Sequence, residues 1–254
     1  MKGVILAAGT SSRLRPLTDR LPKCLLETGS GTILGMTLES LAFAGIGDIV
    51  IVTGYRGDQI RAFVGNAFPA LDVEFVANER FASTNNSYSL HLARPAAAGH
   101  DILLLDSDIV FDRRIITLLT GSRHESCLAM SRRNVLGDEE IKVQTGPGGT
   151  VIRIGKDVPL NDAAGESIGI EKIGGEFLRD VYGILEDMML RQGSSGLFYE
   201  AAFQRAIDKG SVMTAVDVGS LQSIEIDTPG DFLAAKDVSA ALREIYRTGE
   251  HSPR

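Results

Sequence analysis

The segment from Gly3 to Lys23 constrains this chain more than any other stretch. An apolar run, Val4-Ile5-Leu6, leads directly into a loop of small residues, Ala7-Ala8-Gly9-Thr10-Ser11-Ser12, and cations follow at Arg13, Arg15 and Lys23. A strand ending in such a loop leaves backbone N–H groups with no bulky side chains in front of them, so they can close around phosphate oxygens. Arg offers those oxygens a planar fork and Lys a point charge. The Gly-Lys-Ser/Thr ending of a P-loop is absent, and so are the three fixed glycines of a dinucleotide fingerprint. The segment therefore points to a polyphosphate site of another kind, set at the end of a first strand.

The rest of the chain supplies the sheet on which such a loop can sit. Short β-branched runs at Gly3 to Ala7, Asp48 to Thr53, Val73 to Val76 and Ile102 to Leu105 alternate with helical patterns at Ile33 to Ala44, Gly57 to Val64 and Asn86 to Ala93. That rhythm predicts parallel strands joined by right-handed crossover helices, with ligands beyond the carboxyl ends of the strands. The small-residue loop, Thr53-Gly54-Tyr55 and Asp106-Ser107-Asp108 all follow strand ends and should converge. After Asp112 the runs shorten, to Ser126–Ser131, Lys142–Gln144, Val151–Ile154 and Glu166–Lys172, with Gly-Pro-Gly-Gly at 146–149 as a hairpin turn. Residues 126–174 read as a small β-rich insertion built on the sheet. Helices are expected at Gly175–Arg191 and Tyr199–Lys209, strands at Val212–Val216 and Ser223–Ile226, and a last helix from Asp231 to about Tyr246. One domain over 1–247 and a tail at 248–254 complete the plan.

Composition narrows the partners. With 254 residues and 44% hydrophobic content the chain can bury a sizeable core, and its formal net charge of -7 argues against nucleic acid or an anionic membrane as partner. An anion site must therefore be local. Cys24 and Cys127, the only two cysteines, lack metal-ligand spacing, so neither a disulfide scaffold nor a structural zinc is expected. With no run of ~20 apolar residues and no leader-like start, the pattern points to a cytoplasmic protein.

Carboxylates sit where a metal-bound triphosphate would need them. Asp106 and Asp108 end one apolar strand, and Asp227 follows Ile224-Glu225-Ile226. Oxygen ligands of this kind suit Mg²⁺, although a lone Asp-x-Asp is also an ordinary strand-end turn. The sequence Leu6-Ala7-Ala8-Gly9, then Arg13, then Arg15-Pro16-Leu17-Thr18, then Pro22-Lys23 resembles the signature of the nucleotidyltransferase superfamily, which activates phosphorylated small molecules with a nucleoside triphosphate. Val52-Thr53-Gly54-Tyr55, Asp106 to Phe111 and Glu225-Ile226-Asp227-Thr228 follow in the same order, so the resemblance covers most of the chain. Ser11 departs from it, standing where that loop usually has a second glycine. Between Asn78 and Leu90, the Thr84-Asn85-Asn86 run with Ser89-Leu90 is similar to bacterial phosphocholine cytidylyltransferases and their phosphonate-activating relatives, whereas the sugar-phosphate branch tends to carry Gln-Pro and a Gly-rich stretch.

The resemblance implies an α/β fold, a doubly wound, mainly parallel Rossmann-like nucleotidyltransferase sheet. It implies CTP as donor, a small phosphorylated or phosphonate acceptor, release of pyrophosphate, and Mg²⁺ on Asp108 and Asp227. The nucleotide side is expected to comprise Leu6, Ala7, Ala8, Gly9, Thr10, Ser11, Ser12, Arg13, Lys23, Gly54, Asn85, Asn86 and Asp106. Thr84 or Asn85 could equally cap the helix that starts there, and both roles stay open. Arg13 and Lys23 are expected to hold the triphosphate and the charge that develops on pyrophosphate. Lys156 is a candidate for drawing in the acceptor phosphate, or a solvated surface lysine. On the acceptor side the candidates are Tyr88, Glu166, Glu171, Tyr199 and Glu200. Strand alternation puts Glu166 and Glu171 on opposite faces. The chain has no Trp, which tilts an ammonium site away from a quaternary amine and toward carboxylates and hydrogen-bond acceptors. The competing readings are a sugar-1-phosphate nucleotidyltransferase, a metal-dependent glycosyltransferase and an inactive regulatory homologue.

Overall fold

Strands β1 (Lys2–Ala7), β2 (Asp48–Thr53), β3 (Asp72–Ala77) and β4 (Ile102–Asp106) pair in parallel, with β1 between β4 and β2. They come from a computed structural model that describes residues 1–132, 136–191 and 194–249. Their apolar runs are continuous rather than alternating because both faces are covered. Val4, Leu6, Val50, Val52 and Leu104 face one core layer, and Ile5, Ile49, Ile51, Leu103 and Leu105 face the other. The crossovers α1 (Ile33–Phe43), α2 (Gly57–Ala67) and α3 (Asn86–Ala97) connect these strands.

The sheet continues past β4 in a way the sequence reading misplaced. β6 (Cys127–Ser131) and β9 (Gly165–Ile173) lie inside the main sheet, whose order is β10-β6-β9-β4-β1-β2-β3, with β10 at Thr214–Asp217. Residues 126–174 are thus not one appended insertion. Every residue of β6 and β9 is buried, which is the signature of a central strand. Only β7 (Lys142–Thr145) and β8 (Val151–Gly155) hang off the sheet as a hairpin, through β7 pairing with β9. A second difference is a helix, α4 (Arg114–Thr120), that the sequence reading did not contain.

β9 is irregular where it matters. Its register against β6 shifts between Leu128 and Met130, and Gly169 takes φ 71° in the middle of the bulge. A Cβ there would lie 2.7 Å from an Asp106 carboxylate oxygen, so the position needs glycine for space as well as for φ. Alternation survives the bulge: Ser167 Oγ donates to Glu171 Oε1 at 3.2 Å on one face, while Glu166 pairs across to Ser131 in register.

Two helices, α5 (Gly175–Leu190) and α6 (Glu200–Asp208), cover the first core layer beside α3. β5 (Ile109–Phe111) and β11 (Ser223–Glu225) form a separate antiparallel pair. From there α7 (Pro229–Thr248) begins at a capping box, in which Asp231 N–H donates to Thr228 Oγ1 and the Asp231 carboxylate accepts from Thr228 N–H. Phe232, Ala235 and Leu242 of α7 pack with Leu14, Leu26, Ile33, Val110 and Ile226 in a third core. The last helix therefore pins the segment after the small-residue loop to the strand pair that carries Asp227. Of the expected tail, residues 250–254 lie outside the described residues. Among the described residues no helix is long and apolar enough to cross a membrane.

Candidate functional site

β1 ends at Ala7, and the loop beyond it is held from beneath. Tyr55 N–H donates to Ala8 O at 3.1 Å, and the Tyr55 hydroxyl donates to Asp19 O at 2.9 Å. A Cβ on Gly54 would stand 2.6 Å from Ala8 O and 2.6 Å from Phe81 Cβ, so the two segments touch only because Gly54 has no side chain. Ser11, at the position where the resemblance leads one to expect glycine, adopts the left-handed conformation with φ 50°. Such a conformation costs a non-glycine residue roughly 1–2 kcal/mol. Two bonds to the Ser11 carbonyl fix it, from Leu14 N–H at 3.1 Å and Thr18 Oγ1 at 2.9 Å.

Facing this loop is a cluster of opposite charges. Lys23 Nζ lies 2.9 Å from Asp108 Oδ2 and 3.1 Å from Asp227 Oδ1, and Arg13 Nη2 lies 2.8 Å from Asp227 Oδ2. Burial alone would lower the Lys23 pKa, but the two carboxylates outweigh it and raise the ammonium above its ordinary value. Asp108, Glu225 and Asp227 can bring one carboxylate oxygen each within 4.8 Å of the others. Burial, then the Asp108 and Asp227 charges, pushes the Glu225 carboxyl up to about 8. Three hard oxygen donors this close together fit a divalent cation such as Mg²⁺.

The opposite wall comes from α3, α6 and β9. Asn85 Oδ1 accepts from Asn86 N–H at 2.8 Å, which realises the capping alternative, and Asn86 Oδ1 accepts from Tyr199 N–H at 2.9 Å. Buried Asn78 donates through Nδ2 to Thr84 Oγ1 at 3.2 Å and Ser89 Oγ at 3.1 Å. Deeper in, the Tyr199 hydroxyl sits 3.1 Å from Asp106 Oδ2 and 3.4 Å from both Glu171 oxygens. Desolvation raises Asp106, Glu171 and Tyr199 well above their usual ranges, and mutual repulsion adds to it. Lys156 Nζ bonds Glu139 at 2.8 Å and lies 5.0 Å from the centre of the Phe198 ring.

These groups enclose a cavity of about 260 Å³. The structure brings Leu6, Ala7, Ala8, Gly9, Ser11, Arg13, Lys23, Asn85, Asn86, Asp106, Asp108, Lys156, Glu200 and Asp227 to its lining. Thr10, Ser12, Gly54, Tyr88, Glu166, Glu171 and Tyr199 are not part of that lining. Gly54 supports the loop, the Tyr199 hydroxyl braces Asp106 and also meets Glu171, and Tyr88 stacks against Arg80 and His91. Glu166 points to the face of β9 away from Glu171. Sequence reasoning missed Asn78 and Glu139, which also line the cavity. Asn78 could have been noticed as the polar residue that directly follows β3, whereas Glu139 stands in an acidic loop with no periodicity. Cys24 is a buried thiol whose pKa burial pushes up to about 12.

A family model described as MobA-like NTP transferase domain matches residues 3–138. The chain is 28% identical over 248 residues to CMP-5'-(3-aminopropyl)phosphonate synthase of Streptomyces rubellomurinus, covering 91% of this chain and 37% of that one. It is 28% identical over 240 residues to CTP:phosphoglutamine cytidylyltransferase of Campylobacter jejuni, covering 86% of this chain and 92% of that one. The chain thus spans little more than a third of the first relative's length and nearly all of the second's. The solved CTP:phosphocholine cytidylyltransferase of Streptococcus pneumoniae superposes with a TM-score of 0.77 at 22% identity, covering 93% of this chain and 98% of that one. That likeness is one of fold, a mostly parallel central sheet flanked by helices.

Proposed function

The chain belongs to the MobA-like NTP transferase domain family, and from that premise we propose that it is a cytidylyltransferase: it moves CMP from CTP to a small phosphate or phosphonate and releases pyrophosphate. The observation that carries this reading is the Lys23 ammonium held between Asp108 and Asp227 directly across from the small-residue loop. The loop supplies N–H donors, Arg13 and Lys23 supply positive charge, and the carboxylates supply ligands for a metal, which together suit a triphosphate.

An oxygen of the acceptor phosphate or phosphonate attacks the α-phosphorus of CTP in line. The new P–O bond forms as the bond to the bridging α,β-oxygen breaks, and the electron pair leaves on pyrophosphate. The nucleophile is already an anion, so no general base is required and catalysis rests on positioning and charge neutralisation. Lys23 and Arg13 exchange their carboxylate partners for phosphate oxygens and stabilise the leaving charge. Asp108 and Asp227, with Glu225 beside them, would hold Mg²⁺, which neutralises charge on the triphosphate when bound. Lys156, which also lines the cavity, can leave Glu139 and draw the acceptor anion toward the α-phosphorus.

The test is pyrophosphate release with Mg²⁺ across the four nucleoside triphosphates, each crossed with phosphoethanolamine, phosphocholine, 2-aminoethylphosphonate and glucose 1-phosphate. Release confined to CTP with a non-sugar acceptor supports the reading. Release with thymidine or uridine triphosphate and the hexose phosphate overturns it in favour of sugar activation.

A further inference from the structure

Residues 195–199 run as a strap along the N-terminal turn of α3 and lead directly into α6. Phe198 on the strap and Glu200 just after it line the cavity. Lys156 neighbours both: its Nζ stands 5.0 Å from the centre of the Phe198 ring, and its charge reaches Glu200. Under the proposed function Lys156 draws in the acceptor anion, so the strap forms the wall beside the acceptor.

Three consecutive residues hold the strap to α3. Asn85 N–H donates to Ser195 O at 2.8 Å, and Asn85 Nδ2 donates to Gly196 O at 3.4 Å. The Ser87 hydroxyl donates to Leu197 O at 2.6 Å, and Tyr199 N–H donates to Asn86 Oδ1 at 2.9 Å. Strap backbone groups from Ser195 to Tyr199 thus find their partners on this one turn. The turn is itself fixed from the end of β3, where buried Asn78 donates to Thr84 Oγ1 and Ser89 Oγ and accepts from Arg80 N–H. Ser87 is 0% exposed and is not part of the cavity lining, so its hydroxyl serves the strap and touches neither substrate.

Resting on the cytidylyltransferase reading, we propose that Asn85, Asn86 and Ser87 are positioning residues that dock the 195–199 strap and so set the acceptor end of the cavity, rather than reading the nucleotide base. An amide that reads a base must keep a donor or acceptor free for it. Asn85 engages both ends of its amide, Oδ1 with Asn86 N–H and Nδ2 with Gly196 O, and Asn86 commits its oxygen to Tyr199. Asn85 and Asn86 reach the cavity lining only as part of this docked turn. A strap hung on a turn that Asn78 already fixes is in place before the acceptor arrives, so the acceptor does not have to order its own wall. Loss of one strap bond should therefore act on the acceptor and leave the nucleotide largely unaffected.

The experiment is amide hydrogen exchange on the full chain, read at the strap and at β1, for wild type, Ser87→Ala, Asn86→Ala and Asn86→Asp. Ser87→Ala and Asn86→Ala are expected to speed exchange across 195–199 by ~10-fold, the scale of one lost hydrogen bond, with β1 unchanged. Asn86→Asp keeps the oxygen that Tyr199 N–H needs, in a first helical turn where an acid is favourable, and is expected to restore slow exchange. Calorimetry with CTP and Mg²⁺ reads the nucleotide, and its affinity is expected to stay within ~3-fold in Ser87→Ala. The KM of the best acceptor among phosphoethanolamine, phosphocholine, 2-aminoethylphosphonate and glucose 1-phosphate is expected to rise ~10-fold in that variant, with a smaller change in kcat. Unchanged strap exchange, faster exchange in β1 as well, or a ~10-fold loss of CTP affinity with the acceptor KM intact overturns the proposal. Neither exchange nor CTP binding needs an acceptor, so both decide without turnover. A wild-type chain that does not bind CTP loses the cytidylyltransferase reading, whereas one that binds CTP but keeps its strap exchange in the variants loses this inference alone.

Discussion

Lys23 pairs with Asp108 and Asp227 in the ligand-free chain, and under the proposed function the same ammonium would serve both stability and chemistry. It is 7% exposed and bridges Asp108 and Asp227. Lys23→Ala is expected to lower kcat at least ~100-fold, the scale of one lost electrostatic contact to the developing charge, while the cores that surround it keep unfolding cooperative. Pyrophosphate release measured beside a denaturation curve checks both halves, and near-wild-type turnover would remove Lys23 from the mechanism. Glu200 yields a prediction of a different kind. Its carboxyl titrates near 4.5 in the unfolded chain and is raised to about 7 in the fold by burial. Between those values the folded state holds a proton that the unfolded state has released, so stability is lost as pH rises through that window and is not regained above it. Glu200→Gln stays neutral. The variant should resist denaturant better than wild type at pH 8, by up to about 3 kcal/mol, and differ little at pH 4.5. Asp106, Glu171, Tyr199 and Lys156 face the same carboxyl, and because they are common to both proteins the difference isolates Glu200. Equal pH profiles would show that Glu200 is solvated.

Contact between the β1 loop and the turn after β2 sets the shape of the phosphate end. Gly54→Ala would drive a Cβ to 2.6 Å from Ala8 O and Phe81 Cβ, both of which are fixed by backbone. The loop must move, so CTP affinity should fall ~10-fold or more, with a smaller loss of stability, as titration and thermal melts on the same preparation would show. Unchanged CTP binding would mean that the loop does not set the phosphate site. These elements were the legible ones. The apolar runs of β1, β2 and β4 bounded by loops, and the Arg13 and Lys23 cations after small residues, are local signals. α4 was not legible, because Ile115, Ile116 and Thr117 favour a strand locally and the helix forms only by burying Ile115, Ile116 and Leu119. The places of β6 and β9 in the middle of the sheet depend on pairings between residues 35 to 71 positions apart, which no window contains. Glu200 stands in the first turn of α6, where an acid ordinarily meets solvent and the helix dipole. Its burial comes from the packing of α6 against β8 and α5, not from its neighbours in sequence.

At the scale of the molecule, the site lies on a seam between two bodies of structure. Arg13 and Lys23 follow β1 of the main sheet, whereas Asp227 belongs to the unit of β5, β11 and α7 that packs on the third core. In the ligand-free chain three close contacts cross that seam at the site: Arg13 to Asp227, Lys23 to Asp227 and Lys23 to Asp108. Under the proposed function a triphosphate with its metal would take over the same partners, so binding should stiffen the joint and raise the stability of the whole chain rather than of one layer. Linkage fixes the size: at a CTP concentration 100 times Kd, folding gains about 2.7 kcal/mol, which for a chain of 254 residues raises Tm by roughly 5–11 °C. The gain should require Mg²⁺, because without it the carboxylates repel the triphosphate that the cations attract. Thermal melts with CTP in Mg²⁺ and in EDTA measure this. Asp227→Asn should keep a cooperative transition yet lose most of the Mg²⁺-dependent increment, since one ligand atom and the partner of Arg13 change together. An equal CTP shift in EDTA would place the triphosphate elsewhere and detach Asp108 and Asp227 from nucleotide binding.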